Sequence, residues 1–248
     1  MASHASASRR GSRSTAASTA GGLAPEDPRL LEIARALASS SRVTLRGVLT
    51  HAGQSYACQS PSEIAEVAEA ERRAASRAAA RIREGGLPCP EVSAGSTPTA
   101  AHAASLEGVT ELRAGVYVFG DLFQAALGAS LHDDLALSVL ASVIGRREGC
   151  AWIDAGALAL TQDRSMDGRG GGYGEVRALD LGALPGAPRV DALNQVHGRV
   201  VGAAVEGLRV GDRVRVLPNH ACLTAAMFDR YYVLDGDRVT AEWPRLRG

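Results

Sequence analysis

The apolar pattern of this chain changes its period close to residue 133, and that change constrains the fold more than any single motif. Before it, strand-like runs alternate with helical ones. Strands separated by helices must cross over and pair in parallel, so this half reads as a parallel βα layout. Pro25 to Ala38 reads as a short helix, with Leu30, Leu31, Ile33, Ala34 and Leu37 on one stripe. Val43 to Leu49 reads as a strand that ends in Thr50-His51-Ala52-Gly53-Gln54-Ser55-Tyr56. Ser60-Pro61-Ser62-Glu63 has the form of a capping box, and the helix it opens runs to about Arg83, where Gly85-Gly86 stops it. The charges of that helix are read as a solvated face. A second strand, Glu91 to Ala94, leads through Ser93 to Thr99 into a helix over Ala100 to Leu106, and a third strand spans Val109 to Phe119.

From Leu135 onward the runs are short and separated by turn residues, as antiparallel strands are. They are Leu135 to Ile144, Cys150 to Ile153, Glu175 to Ala178, Gly198 to Val205, Arg213 to Leu217, Tyr231 to Leu234 and Val239 to Trp243. Asp235-Gly236-Asp237 signals a hairpin. The Gly168 to Gly174 run lacks the preceding strand and following helix of a nucleotide loop, and reads as a hairpin loop or lid. Residues 1–24 are rich in Ala, Ser and Arg, with no acid before Glu26, and are expected to be disordered. The same composition fits an organelle transit peptide, so the location expected is cytoplasmic or, on that alternative, organellar.

Composition removes several classes of function. With 27 basic and 27 acidic residues there is no net basic field for nucleic acid. No apolar stretch approaches the length of a membrane span. Four widely spaced cysteines, Cys58, Cys89, Cys150 and Cys222, form no CxxC pair and suit a reducing compartment. All 27 basic residues are arginine, so no side chain here can form a Schiff base.

Two stretches carry chemistry. In Pro218-Asn219-His220-Ala221-Cys222-Leu223-Thr224, a histidine and a cysteine stand two apart; on a strand they would leave one face. An imidazole and a thiolate together suit zinc, with positions left open for water or substrate; the alternative is a buried free cysteine beside a hydrogen-bonded histidine. In Ser93 to Thr99, small residues before a helix could turn backbone N–H groups toward a phosphate, with Ser96 or Thr97 as cap; the alternative is an ordinary capped helix start.

Taken in order, several segments resemble the D-serine dehydratase and D-threonine aldolase family. They are Thr50 to Tyr56, Ser93 to Thr99, Glu111 to Asp121, Ile153-Asp154-Ala155-Gly156, Asn194-Gln195-Val196-His197-Gly198, Pro218 to Cys222, Asp229-Arg230-Tyr231-Tyr232 and Trp243 to Gly248. The resemblance covers roughly residues 30 to 248 and implies an α/β + β architecture. Residues 25–132 would be the carboxy-terminal part of an alanine-racemase-type parallel β/α barrel, and residues 133–248 a β domain with a metal site. It implies pyridoxal 5'-phosphate and zinc, or another divalent metal, as cofactors. The implied reaction is a lyase step on a D-amino acid, D-serine to pyruvate and ammonia, with an aldolase acting on D-3-hydroxy amino acids as the alternative. His220 and Cys222 match the metal ligands, and a cysteine in second place resembles the dehydratase branch. Gly95, Ser96 and Thr97 match the phosphate loop, while His51, Tyr56 and Tyr117 match positions facing cofactor or substrate. His197 stays open between ligand and core histidine. The family's Schiff-base lysine belongs to a first barrel strand that precedes the region matched here, so a metal-binding protein without turnover is a further alternative. A complete barrel of this kind is expected to be a homodimer.

Overall fold

The computed structural model describes residues 22–164 and 172–246. The expected tail over residues 1–24, as far as residue 21, and residues 168–171 of the expected hairpin loop lie outside the described residues. The chain forms two compact units, one over residues 1–117 with 127–129 and one over 118–126 with 130–248. The expected boundary at 132/133 thus follows a segment that already belongs to the second unit.

The first unit begins with α1 (Arg29–Ala38), β1 (Gly47–Leu49) and α2 (Pro61–Glu84). Ser60 caps α2 as its spacing predicts, the hydroxyl accepting from Glu63 N–H at 3.2 Å, while the Glu63 carboxylate accepts from Gln59 N–H at 2.8 Å. The buried face of α2 runs Ile64, Ala68, Glu71, Ala75, Ala78, Ala79 and Ile82, a helical stripe. Ala75, Ala78, Ala79 and Ile82 pack with Leu30, Ala34, Val48 and Val92 in one core. β2 (Glu91–Ala94), α3 (Thr97–His102) and β3 (Glu111–Leu112) follow. The sheet order is β1-β2-β3, parallel throughout, with Val48 opposite Val92 and Ser93 opposite Glu111. Short strands are the main correction here. The run expected from Val43 pairs only from Gly47, and the run from Val109 to Phe119 pairs only at Glu111–Leu112 before a 3-10 turn at Val116–Val118. Apolar composition alone did not extend either strand: backbone bonds to β2 reach only one residue past each end, at Arg46 and Thr50 for β1 and at Thr110 and Arg113 for β3. The helix expected over Ala100 to Leu106 instead starts at Thr97 and ends at His102, since Ser96 and Pro98 supply the cap and first turn.

The second unit opens with α4 (Leu122–Ala126) and continues through β4 (Val139–Arg147), β5 (Cys150–Ile153), α5 (Ala157–Leu160), β6 (Gly174–Arg177), β7 (Arg189–Leu193), β8 (Gly198–Val201), β9 (Arg213–Pro218) and α6 (Ala221–Met227). It ends in the hairpin β10 (Arg230–Asp235) and β11 (Arg238–Pro244), turning where Asp235-Gly236-Asp237 predicts. Six strands close an antiparallel barrel in the order β4-β5-β8-β7-β6-β9. Alternate residues point inward: Val139, Ala141 and Val143 from β4, Val214 and Val216 from β9, with Ile153, Val176, Val190 and Val200 from the others. Fully burying a side chain of this size contributes roughly 1.5–3 kcal/mol. β7 was not anticipated, because Pro185 to Pro188 reads as a breaker that ends a region rather than as the entry to a strand. β8 stops at Val201 because Gly202 turns at φ 129, where a side chain would meet Pro188.

Candidate functional site

The residues singled out from sequence fall into two groups, one in each unit. In the first, the loops after the parallel strands carry them. Gly95 follows β2 at φ 117, and a Cβ there would lie 2.9 Å from the Arg113 carbonyl oxygen, so glycine alone fits. Ser96 caps α3 in a reciprocal box: its hydroxyl accepts from Thr99 N–H at 3.3 Å, and Thr99 Oγ1 accepts from Ser96 N–H at 2.9 Å. Thr97 Oγ1 accepts from Val116 N–H at 3.0 Å, which leaves its own proton to donate. His51, exposed after β1, places Nδ1 3.2 Å from the Gly95 carbonyl. A carbonyl accepts only, so Nδ1 carries the proton and Nε2 the lone pair. Tyr117 is 70% exposed, and Tyr56 is half-buried.

Glu71 holds this loop together. It is 7% exposed, on the buried face of α2. Oε1 accepts from Thr50 Oγ1 at 2.9 Å and from Gly95 N–H at 3.1 Å, while Oε2 accepts from Thr99 Oγ1 at 3.2 Å. The reading of every α2 charge as solvated is therefore corrected for Glu71. The expectation of loop N–H groups left open to an anion is corrected too. Gly95 N–H donates to Glu71 and Ser96 N–H to Thr99, because both are buried and must find partners.

In the second unit, the chain turns at Gly120, φ 62, and delivers Asp121 to the start of α4. Asp121 is 1% exposed. Its Oδ1 accepts from Gln124 N–H at 2.8 Å, and its Oδ2 from Ala221 N–H at 2.9 Å. Phe123 N–H donates to the Asn219 carbonyl at 3.1 Å. These bonds start a helix at Ala221, so the expected placement of His220 and Cys222 on one strand face does not hold. β9 ends at Pro218, His220 is the residue before α6 with extended backbone, and Cys222 lies in its first turn. His220 Nδ1 is 3.5 Å from Asp121 Oδ2, and its ring is 5.8 Å from that of Phe123. Burial raises the pKa of the Asp121 carboxyl, against the opposing pull of the Ala221 and Gln124 N–H groups and of His220. The Cys222 thiol is raised by burial first and then by the negative charges of Asp121 and Asp163. Asn219, 1% exposed, donates from Nδ2 to the Asp163 carbonyl at 2.8 Å and to the Gly172 carbonyl at 2.7 Å.

This donor set fits a divalent, borderline-soft cation. A cation beside His220 and Cys222 would offset the negative field that holds the thiol protonated. Among the described residues no group of three or more His, Cys, Asp or Glu side chains is arranged to hold a metal. A metal here would take two side-chain ligands and keep open positions, as in a catalytic site. His197 is not a core histidine. It is exposed in the turn where its carbonyl accepts from Asn194 N–H at 2.8 Å, and Gly156 packs against its backbone. The segments Ile153 to Gly156 and Asn194 to Gly198 are thus neighbours in the barrel, and their close fit is structural.

Residues missed from sequence had signals of different strength. Glu71 falls in register with the apolar stripe of α2, which marks it as buried. Asp121 follows a glycine and precedes a helix, the signature of a cap. The contacts of Asn219 join distant segments and leave no local trace.

A three-stranded parallel sheet with capped loops in one unit, and in the other a closed antiparallel barrel that ends in a His-x-Cys helix start, define a two-unit α/β + β protein. The comparisons agree. The alanine racemase N-terminal domain matches residues 19–122, and the serine dehydratase domain matches residues 136–234. D-threo-3-hydroxyaspartate dehydratase of Delftia sp. (strain HT23) is 45% identical over 236 residues, covering 91% of this chain and 62% of the relative. Its solved structure has a TM-score of 0.83 at 44% identity, covering 92% of this chain and 63% of that one. Solved variants of that enzyme replace a histidine and a cysteine two positions apart by alanine, the cysteine variant in a metal-free form. D-serine dehydratase of Dictyostelium discoideum is 30% identical over 209 residues, covering 77% of this chain and 51% of the relative. D-threonine aldolase from Filomicrobium marinum has a TM-score of 0.74 at 25% identity, covering 91% of this chain and 59% of that one. The chain belongs to the D-serine dehydratase and D-threonine aldolase family. It spans between half and two thirds of the length of these relatives.

Proposed function

We propose that this chain carries the metal-binding and phosphate-loop parts of a pyridoxal-phosphate-dependent lyase that removes water from D-3-hydroxy amino acids, D-serine or D-3-hydroxyaspartate, with zinc as the metal. The observation that carries this reading is the His220–Cys222 pair at the start of α6, with Asp121 buried against it. The Delftia relative supports it through the spacing of its exchanged histidine and cysteine. On this reading the parallel sheet β1-β2-β3 with α2 and α3 is part of a β/α barrel.

A divalent metal at His220 and Cys222 supplies Lewis acidity for the departing β-hydroxyl, and pyridoxal phosphate supplies an electron sink for the α-carbon. The fit to the second group is partial. The Gly95 turn permits close approach, and Thr97 keeps a hydroxyl proton to donate, but two loop N–H groups are occupied and the chain has no lysine. His51 would take up or return a proton at Nε2, since Nδ1 is committed to the Gly95 carbonyl. Tyr56 and Tyr117 border the same loops and would orient the bound molecule. His220 and Cys222 would hold the metal.

The test is release of keto acid and ammonia from D-serine and from D-3-hydroxyaspartate, with pyridoxal phosphate added, with and without a chelator. Chelator-sensitive release supports the dehydratase; acetaldehyde or glycine from D-threonine would instead support the aldolase. The absence of lysine favours a second reading, a metal-binding protein without turnover. Zinc retained at one equivalent with no release from any substrate would establish that reading.

A further inference from the structure

Asp121 is buried, is separated from the His-x-Cys motif by about one hundred residues, and has no role in the reading from sequence. We infer that it is a positioning residue: it fixes the tautomer and orientation of His220 and so presents Nε2, unprotonated, to the metal. This inference rests on the proposed metal site.

The argument begins with the carboxylate's surroundings. Both oxygens are anchored by backbone N–H groups, Oδ1 by Gln124 at 2.8 Å and Oδ2 by Ala221 at 2.9 Å. A side chain held at both ends cannot swing away from its neighbours. Gly120 adds to this constraint, since a Cβ there would meet Leu135 at 2.8 Å. The Ala221 N–H is the next peptide after His220, so the bond that pins Asp121 also fixes the backbone carrying the imidazole. Nδ1 then lies 3.5 Å from Oδ2, within ion-pair range and just longer than an ordinary hydrogen bond. An ionised carboxylate accepts and does not donate, so the favoured neutral imidazole carries its proton on Nδ1. The lone pair needed by a cation is left on Nε2. Carboxylate partners of this kind orient metal-bound histidines, and their loss costs roughly 10–100-fold in metal affinity.

Asp121→Asn tests this directly. Asparagine is as good a helix cap as aspartate, so the variant should fold. When its amide oxygen keeps the cap bond to Gln124 N–H, the NH2 group faces Ala221 N–H and the Nδ1 proton, and the Nδ1-protonated tautomer loses its partner. Three measurements on the full chain decide the matter. Nitrogen-15 NMR of the zinc-free wild type should show His220 protonated at Nδ1, with the other tautomer gaining population in Asp121→Asn. Zinc affinity, from competition with a chromophoric chelator, should fall roughly 10–100-fold. That loss should vanish when Asp121→Asn is placed in a His220→Ala background, because a residue acting through His220 has nothing left to act on. Wild-type affinity in Asp121→Asn, or the same loss with His220 already removed, would overturn the inference while leaving the metal site standing. Failure of the wild type to bind zinc would overturn both. Should Asp121→Asn fail to fold, Asp121→Glu provides the second variant. It keeps the charge but moves it by one methylene, and zinc affinity should again fall; unchanged affinity would count against the inference.

Discussion

Replacing Glu71 by alanine should destabilise the first unit and loosen the Gly95 loop, and the size of the effect follows from its three donors. Thr50 Oγ1, Gly95 N–H and Thr99 Oγ1 all donate to this one carboxylate in a buried setting. The two hydroxyls can rotate, and Thr99 already lies 3.3 Å from the Ser96 carbonyl, a second acceptor. Gly95 N–H cannot rotate, because the peptide is fixed by the turn at φ 117. An orphaned buried N–H costs about 1–3 kcal/mol. Adding the lost packing of the buried Glu71 stem, the total is about 2–4 kcal/mol. At roughly 2–4 °C per kcal/mol for a chain of this size, the melting temperature should fall by about 4–16 °C. Glu71→Gln should lose less, about 1 kcal/mol, since its amide oxygen keeps the bonds to Thr50 and Gly95 while the Thr99 hydroxyl accepts from the amide NH2. Urea denaturation gives the energies, and hydrogen exchange at Gly95 gives the location. Unchanged Gly95 protection in Glu71→Ala would refute the reasoning, whatever happened to global stability.

Three further outcomes are expected. Gly120→Ala places a side chain at φ 62 with its Cβ 2.8 Å from the end of the Leu135 side chain; it should cost about 1–2 kcal/mol by urea titration, mostly backbone strain. Zinc at a hundredfold excess over its Kd should stabilise the second unit by about 2.7 kcal/mol, and Cys222→Ala should weaken or abolish the thermal shift. Burial raises the thiol pKa of Cys89 above its unfolded value, so the fold favours the protonated form. That stability is intact below the ordinary thiol value of about 8.5 and is lost as the pH rises beyond it; Cys89→Ala should flatten the decline of stability at alkaline pH, measured by denaturant midpoint.

What was legible in the sequence follows the range of the interactions that decide it. Capping is local: Ser60, Glu63 and Ser96 stand within four residues of their partners, and α2 begins where its spacing places it. The inward alternation of β4 and β9 is also local, and valine and alanine at every second position mark the barrel wall. Strand length is not local, because β1 and β3 extend only as far as a neighbour pairs with them. The same limit governed the site. His-x-Cys in an apolar run carries period-two information only if the run is a strand, and a bond from Ala221 N–H to a carboxylate one hundred residues earlier turned it into a helix start. The residue types were therefore sufficient to suggest a metal, while the geometry that presents them depended on Asp121.

Glu71 and Asp121 show how the two units use one device. Each is a buried carboxylate that accepts a backbone N–H beside a residue proposed to act, Gly95 in one case and Ala221 in the other. Neither is supplied with an arginine partner in these bonds; backbone N–H and hydroxyl groups donate to the oxygens, which is how an acid can be kept inside a fold. Such a group is costly to remove, because every donor it satisfies is orphaned at once, and this makes it a rigid reference point for the loop it holds. A loop anchored in this way can present exposed groups such as His51 or Cys222 at fixed positions while contributing little stability itself. The functional side chains can then vary at small cost to the fold, whereas the carboxylates behind them cannot.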